Sequence, residues 1–216
     1  MSRFPAERFA DRVDAGERLA LRLRTMDWSD PIVLGLARGG VPVARQVAAA
    51  LGAPLDVAVA RKIGAPGRPE LGLGAVTADG PPRYNATALA QLDLAPADLQ
   101  AACERERAEA RRRLRLYRGD RARPAVVGRD VLLVDDGLAT GVTARAALSE
   151  LRAEHPRRLV FAAPVCASQS AADLRADGDA EEVVCVVAPA VLGAVSRWYH
   201  DFTQTSDDEV LAALRR

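Results

Sequence analysis

Two adjacent carboxylates at the end of an apolar run carry the most chemical potential in this sequence. Val131-Leu132-Leu133-Val134 is branched and unbroken, as in a strand buried on both faces, and Asp135-Asp136 follow it directly. Gly137-Leu138-Ala139-Thr140-Gly141-Val142-Thr143 then leads into a helical pattern running through Ala147 to Leu151. The loop between a strand's carboxyl end and the next helix is where open parallel sheets bind ligands. The amides of a first helical turn, with the hydroxyls of Thr140 and Thr143, suit a phosphate. Asp135 and Asp136 would repel that phosphate and suit ribose hydroxyls or a cation instead. Together these residues describe a site for a phosphorylated sugar. The plainer alternative, an N-capped helix with no ligand, leaves two carboxylates at a buried strand end without partners, which is costly.

Two further stretches place charge beside glycine. Ile32 to Leu36 reads as a buried strand, followed by Ala37-Arg38-Gly39-Gly40 and a helix from Val41 to Leu51 with Pro42 in its first turn. Gly39 and Gly40 let backbone amides approach an anion, and Arg38 adds a fixed positive charge. Leu55 to Ala60 reads as a third strand, ending at Arg61-Lys62 before a Gly- and Pro-rich segment over 63–69. Two adjacent cations before such a segment suit a polyanion clamp followed by a mobile loop. An ordinary basic surface turn explains the same residues, and Glu70 nearby reads as solvated.

Val131 to Thr143 closely resembles the phosphoribosyl-diphosphate (PRPP) signature of the type I phosphoribosyltransferases: an apolar strand, two acids, two variable residues, a small residue, Thr-Gly, a variable residue and Thr. The resemblance implies transfer of 5-phosphoribose from PRPP to a nitrogenous acceptor with release of pyrophosphate. Ala139, Thr140, Gly141, Val142 and Thr143 would hold the 5-phosphate, and Asp135 and Asp136 the ribose hydroxyls. Arg38, Gly39 and Gly40 match the family's pyrophosphate loop. Arg61 and Lys62, which resemble the start of its catalytic flexible loop, would contact the same group, so the catalytic residues would be Asp135, Asp136 and Lys62. Magnesium is the implied cofactor, held mainly by PRPP, with Asp135 and Asp136 reaching it through water. In the family a hood covers the nucleobase, and an aromatic residue after the last core strand stacks on it. Trp198 and Tyr199 stand there, although packing of the hood explains them equally well.

The sequence departs from the hypoxanthine/guanine-type members at two places. Their signature carries a third acid as general base, where this chain has Ala139, and the stretch Phe161 to Ala167 lacks the lysine they use to read a purine oxo group. The acceptor and the general base therefore stay open, and a lone His200 reads as structural or exposed. A PRPP-binding regulator and a phospho-sugar hydrolase on the same scaffold are the alternatives.

The remaining elements must position these loops. Ala6 to Met26 has helical periodicity, with Arg12 and Asp14 as surface charges. Leu71 to Thr77 and Pro82 to Asn85 flank Asp79-Gly80 as a hairpin; Ala86 to Leu92 and Pro96 to Tyr117 read as helices. Leu159 to Val165, a helix from Ser168 as N-cap to Ala176, a strand Glu182 to Val187 and a helix around Ser206 to Leu214 complete the chain. The fold class is α/β: a mainly parallel sheet of about five strands flanked by helices, in one domain over 1–216, with a helical insertion at about 86–120 and a hood from the terminal segments at about 189–216. The insertion suits a lid or dimer element, and a homodimer is expected.

Composition narrows the partners. Thirty basic and 29 acidic side chains leave a net charge of +1, so no global attraction to nucleic acid or acidic membrane is expected. The arginines from Arg111 to Arg123 are interleaved with acids at helical spacing and read as a self-paired solvated face. Met1 to Pro5 leads into a charged segment unlike a signal peptide, no apolar run reaches membrane-spanning length, and a cytoplasmic location is expected. Cys103, Cys166 and Cys185 form no framework, and the last two read as small buried hydrophobes.

Overall fold

The computed structural model describes residues 8–215. In chain order its elements are α1 (Arg12–Leu23), β1 (Ile32–Leu36), α2 (Gly40–Leu51), β2 (Leu55–Ala58), β3 (Ala60–Ala65), β4 (Arg68–Thr77), β5 (Arg83–Tyr84), α3 (Ala86–Gln91), α4 (Gln100–Arg118), β6 (Asp130–Val134), α5 (Val142–Arg152), β7 (Arg158–Val165), α6 (Ser168–Ala176), β8 (Glu182–Val187) and α7 (Asp207–Leu214). The central sheet has five parallel strands in the order β2-β1-β6-β7-β8. From β1 the chain winds outward to β2, and from β6 it winds the other way to β7 and β8. The reversal falls between β1 and β6, where such sheets open a crevice at their carboxyl ends. That order sets the loop after β1, with Gly39 and Gly40, beside the loop after β6, with Asp135 and Asp136.

Every residue of β1 and β6 is buried, which explains their continuous apolar runs. On one face Leu19, Leu23, Val43 and Val47 of α1 and α2 pack on Val33, Leu132 and Val134. On the other, Leu148 and Leu151 of α5 pack on Leu133, Leu159 and Phe161. Truncating one of these leucines to alanine costs about 2–5 kcal/mol, enough to threaten a marginally stable domain. Local signals agree with the helix ends. Asp11 caps α1 by accepting from the Val13 and Asp14 amides, and Ser206 with Glu209 forms a reciprocal capping box on α7.

Several expectations need correction. The N-terminal helix begins at Arg12 rather than Ala6; Ala6 and the leader segment Met1 to Pro5 lie outside the described residues. The third strand does not run from Leu55 to Ala60. It leaves the parallel sheet at Val59, and Arg61 and Lys62 lie within β3 of a separate antiparallel sheet, opposite Val76 and Ala75 of β4. The apolar run is continuous because both strands are buried, so periodicity could not show the switch between sheets. The segment 63–69 is largely strand, closed by a turn at Pro66-Gly67 with Gly67 at φ 71°. The second hairpin pairs as expected, Gly74 opposite Tyr84 and Ala75 opposite Arg83.

The insertion helix α4 does form internal ion pairs, Glu109 with Arg112 and Arg113 at 2.7 Å each. It also buries Cys103, Ala110 and Tyr117 and bonds Asp56 through Arg118 at 2.8 Å, so it is part of the fold rather than an isolated exposed helix. Ser168 is not the N-cap of α6. Ala167 holds that place, and the Ser168 hydroxyl donates to the Ala188 carbonyl at 2.9 Å. Cys166 and Cys185 are joined as a disulfide, their Cα atoms 6.2 Å apart, because β7 and β8 are neighbours in the sheet. Among the described residues no helix is long and apolar enough to cross a membrane.

Candidate active site

The β6 strand delivers its carboxylates to the sheet edge, and the neighbouring backbone fixes them there. The Asp135 amide donates to the Ala162 carbonyl at 3.0 Å, and Asp135 Oδ1 accepts from the Asp136 amide at 2.9 Å. Further along, the Leu138 amide donates to the Val165 carbonyl, the Ala167 amide to the Leu138 carbonyl, and the Ser170 hydroxyl to the Ala139 carbonyl. The loop is thereby pinned to the end of β7 before Gly141, at φ 73°, turns the chain into α5. The first-turn amides of α5 have no intrahelical acceptor, and Thr140 and Thr143 stand at the same helix start, a pattern that suits an anion.

Gly39 and Gly40 are required by contact between the two loops. A Cβ on Gly39 would stand 2.0 Å from Asp136 Oδ2, and one on Gly40 would stand 2.5 Å from the Val134 carbonyl oxygen. The peptide between Ala37 and Arg38 is cis. A cavity of about 300 Å³ opens at this point, bounded by Lys62, Asp135 through Gly141, Thr143, Ala144, Val195 and Phe202. A second, of about 650 Å³, shares Lys62 and Thr143 and continues along the β3–β4 hairpin past Arg61, Glu70 and Arg105.

Electrostatics differ sharply between the adjacent acids. Burial, then the charge of Asp136, pushes the Asp135 carboxyl well above the usual carboxylate range, with Arg12 and Lys62 opposing. Burial also raises Asp136, but here Arg12 opposes directly: its Nε lies 2.9 Å from Asp136 Oδ2. Asp136 thus has a bonded cation, whereas among the described residues Asp135 forms no ion pair.

Asp135, Asp136, Ala139 to Gly141, Thr143 and Lys62 border one cavity, and Gly39 and Gly40 lie against the two acids. The other cations face elsewhere. Arg38 pairs with Asp207 of α7 at 3.6 Å, and Arg61 with Glu106 of α4 at 3.0 Å. The stacking role expected of Tyr199 is not open to it. Its ring is 1% exposed, lies 5.4 Å from that of Phe9 and 4.8 Å from that of Phe202, and its hydroxyl donates to the Asp136 carbonyl at 2.6 Å. Trp198 is half-buried in the same cluster and donates its indole N–H to the Leu192 carbonyl at 3.2 Å. The physical reason is that the segment after β8 folds back onto the N-terminal segment, with Phe9 bridging Tyr199. His200 is exposed.

Sequence reasoning missed Arg12, Val195 and Phe202. Phe202 was visible as part of an aromatic cluster. Arg12 carried no signal, because an arginine at the start of an amphipathic helix looks like any solvated one.

The chain matches the family model described as phosphoribosyl transferase domain over residues 7–195, and it belongs to that family. Two curated proteins from Mycobacterium tuberculosis, strains CDC 1551 and H37Rv, named provisionally as phosphoribosyl transferases, are each 45% identical over 208 residues. Those matches cover 96% of this chain and 46% of each relative, so the chain spans less than half the length of the curated proteins it matches. Among solved structures, TT1426 from Thermus thermophilus is 44% identical with a TM-score of 0.78, covering 96% of this chain and 97% of that one.

Proposed function

We propose that the protein transfers the 5-phosphoribosyl group of PRPP to a nitrogenous, nucleobase-like acceptor and releases pyrophosphate. The observation that carries this reading is the single cavity in which Asp135 and Asp136 face the first turn of α5, with Lys62 on its wall. The acceptor nitrogen forms a bond to C1 of the ribose as the C1–O bond to pyrophosphate breaks; the pyrophosphate leaves with that electron pair, and the acceptor's N–H proton passes to the departing pyrophosphate or to solvent. Positive charge develops on the ribose ring meanwhile, so the protein's contribution is positioning and electrostatics. Amides and hydroxyls at Thr140 to Thr143 hold the 5-phosphate. Asp135 and Asp136 accept from the ribose hydroxyls and offset the ring charge. Lys62 and the Gly39-Gly40 backbone meet the departing pyrophosphate, and Arg38 and Arg61 join them on exchanging Asp207 and Glu106 for it. Val195 and Phe202, rather than Tyr199, border the acceptor side.

Magnesium fits this arrangement as a partner of the donor. Among the described residues no cluster of three or more His, Cys, Asp or Glu could hold a metal. Two carboxylates, one already paired to Arg12, suit an ion whose other ligands are substrate oxygens and water. When bound, it supplies neutralisation of the pyrophosphate charge.

The test is a pyrophosphate-release screen of nucleobases and small amines with PRPP and magnesium. Acceptor-dependent release that disappears in Asp136→Asn supports transfer. Tight PRPP binding without turnover across the panel would replace it with a sensing role, and hydrolysis of simple phosphate esters without PRPP with a hydrolase. The activity, acceptors and location of a longer protein carrying this chain fall within the same proposal.

A further inference from the structure

Arg12 joins three parts of the chain that are far apart in sequence. It is the first residue of α1. Its Nε donates to Asp136 Oδ2 at 2.9 Å, one terminal N–H donates to the Thr203 carbonyl at 2.7 Å, and its guanidinium carbon lies 4.0 Å from the centre of the Phe202 ring. The side chain is only 12% exposed. An exposed ion pair with one contact would contribute little. This one is largely desolvated and held on three sides, so its geometry is determined. Asp136 is gripped elsewhere as well: its carbonyl accepts from the Tyr199 hydroxyl, and the Gly39 backbone closes on the Oδ2 side. Oδ2 is therefore taken.

We propose that Arg12 is a positioning residue for the donor site. It holds the Asp136 carboxylate in one rotamer for the ribose, and it ties that carboxylate to the 199–206 segment bordering the acceptor side. The inference rests on the PRPP reading for its consequence, not for its geometry. A substrate that engages Asp136 then meets a carboxylate already aimed, and no ordering cost is left for the binding step.

Two measurements test it. Hydrogen–deuterium exchange without any ligand compares wild type with Arg12→Met and Arg12→Lys. Release of the strut is expected to speed exchange of the Leu138, His200 and Asp201 amides about tenfold, with β7 and β8 unchanged and Arg12→Lys intermediate. Unchanged exchange at these amides in Arg12→Met overturns the proposal whether or not PRPP binds. Calorimetry with PRPP and magnesium then follows a double-mutant cycle. Arg12→Met is expected to weaken binding about tenfold, equivalent to about 1.4 kcal/mol, and to have no further effect in an Asp136→Asn background. Equal weakening in both backgrounds would mean that Arg12 acts other than through Asp136, and would also overturn it. Absence of PRPP binding in wild type refutes the proposed function and leaves the exchange experiment to decide the role of Arg12.

Discussion

Neighbouring aspartates in this site are expected to respond unequally to the same substitution. Asp135→Asn removes a charge that burial disfavours and keeps the oxygen that accepts from the Asp136 amide. Asp136→Asn removes the charge that Arg12 binds at 2.9 Å and leaves a largely desolvated guanidinium with a neutral partner. The first variant is therefore expected to be more stable than wild type at neutral pH; in the second, removal of a charge that burial also disfavours is offset by the lost ion pair, so it stabilises less than Asp135→Asn. Each unit by which the folded Asp135 pKa exceeds its unfolded value corresponds to about 1.4 kcal/mol, or about 3–6 °C in melting temperature for a chain of this size. The ion pair lost in Asp136→Asn offsets that gain by about 1.5–3 kcal/mol, the range for a hydrogen bond to a charged group. The sign with pH follows from the direction of the shift. The folded state holds the Asp135 proton more tightly than the unfolded chain, whose ordinary value is 3.8. Wild type thus loses stability as pH rises from 3.8 through the folded value, and the advantage of Asp135→Asn is absent below 3.8 and complete above that window. Thermal unfolding of both variants at a series of pH values from about 3.5 to about 8 is the assay, with PRPP binding followed in parallel and expected to fall in both. Destabilisation by Asp135→Asn at neutral pH, or a difference that does not change with pH, would refute the reasoning.

Three further outcomes are expected. Gly40→Ala places a Cβ 2.5 Å from the Val134 carbonyl and 2.8 Å from the Asp135 Cα; backbone cannot yield as a side chain can, so a loss of about 1–3 kcal/mol in urea unfolding is expected, with PRPP affinity reduced more than tenfold. Tyr199→Phe leaves the Asp136 carbonyl without its donor and costs about 1–3 kcal/mol by the same measurement, while the aromatic cluster persists in the near-ultraviolet circular dichroism spectrum. Reducing the bond between Cys166 and Cys185, which are 19 residues apart, lowers stability by about 3 kcal/mol, and Cys166→Ser/Cys185→Ser makes the protein insensitive to reductant.

The parallel core was legible because buried strands and amphipathic helices each leave a periodic trace. The β6 run and its two acids marked the centre of the site, and β8 begins and ends where its apolar run does. What stayed hidden depended on tertiary pairing. Val59 carries no mark of the strand's change of sheet. The disulfide follows from β7 and β8 being neighbours, which spacing does not encode. Trp198 and Tyr199 were readable as aromatic but not as buried, since Phe9 meets Tyr199 from the other end of the chain. Arg12 likewise acquires its meaning only when the fold brings Asp136, 124 positions further along the chain, onto it.

The contact between the Gly39-Gly40 backbone and the acidic loop has an evolutionary consequence. These positions exclude side chains because two strand ends meet there, whether or not a substrate arrives. A descendant that lost the proposed transfer reaction would still keep both glycines in order to fold. Their retention in a lineage would therefore report the architecture, and only Asp135 and Lys62, which neither the backbone nor the Arg12 pair demands, would record continued selection for chemistry.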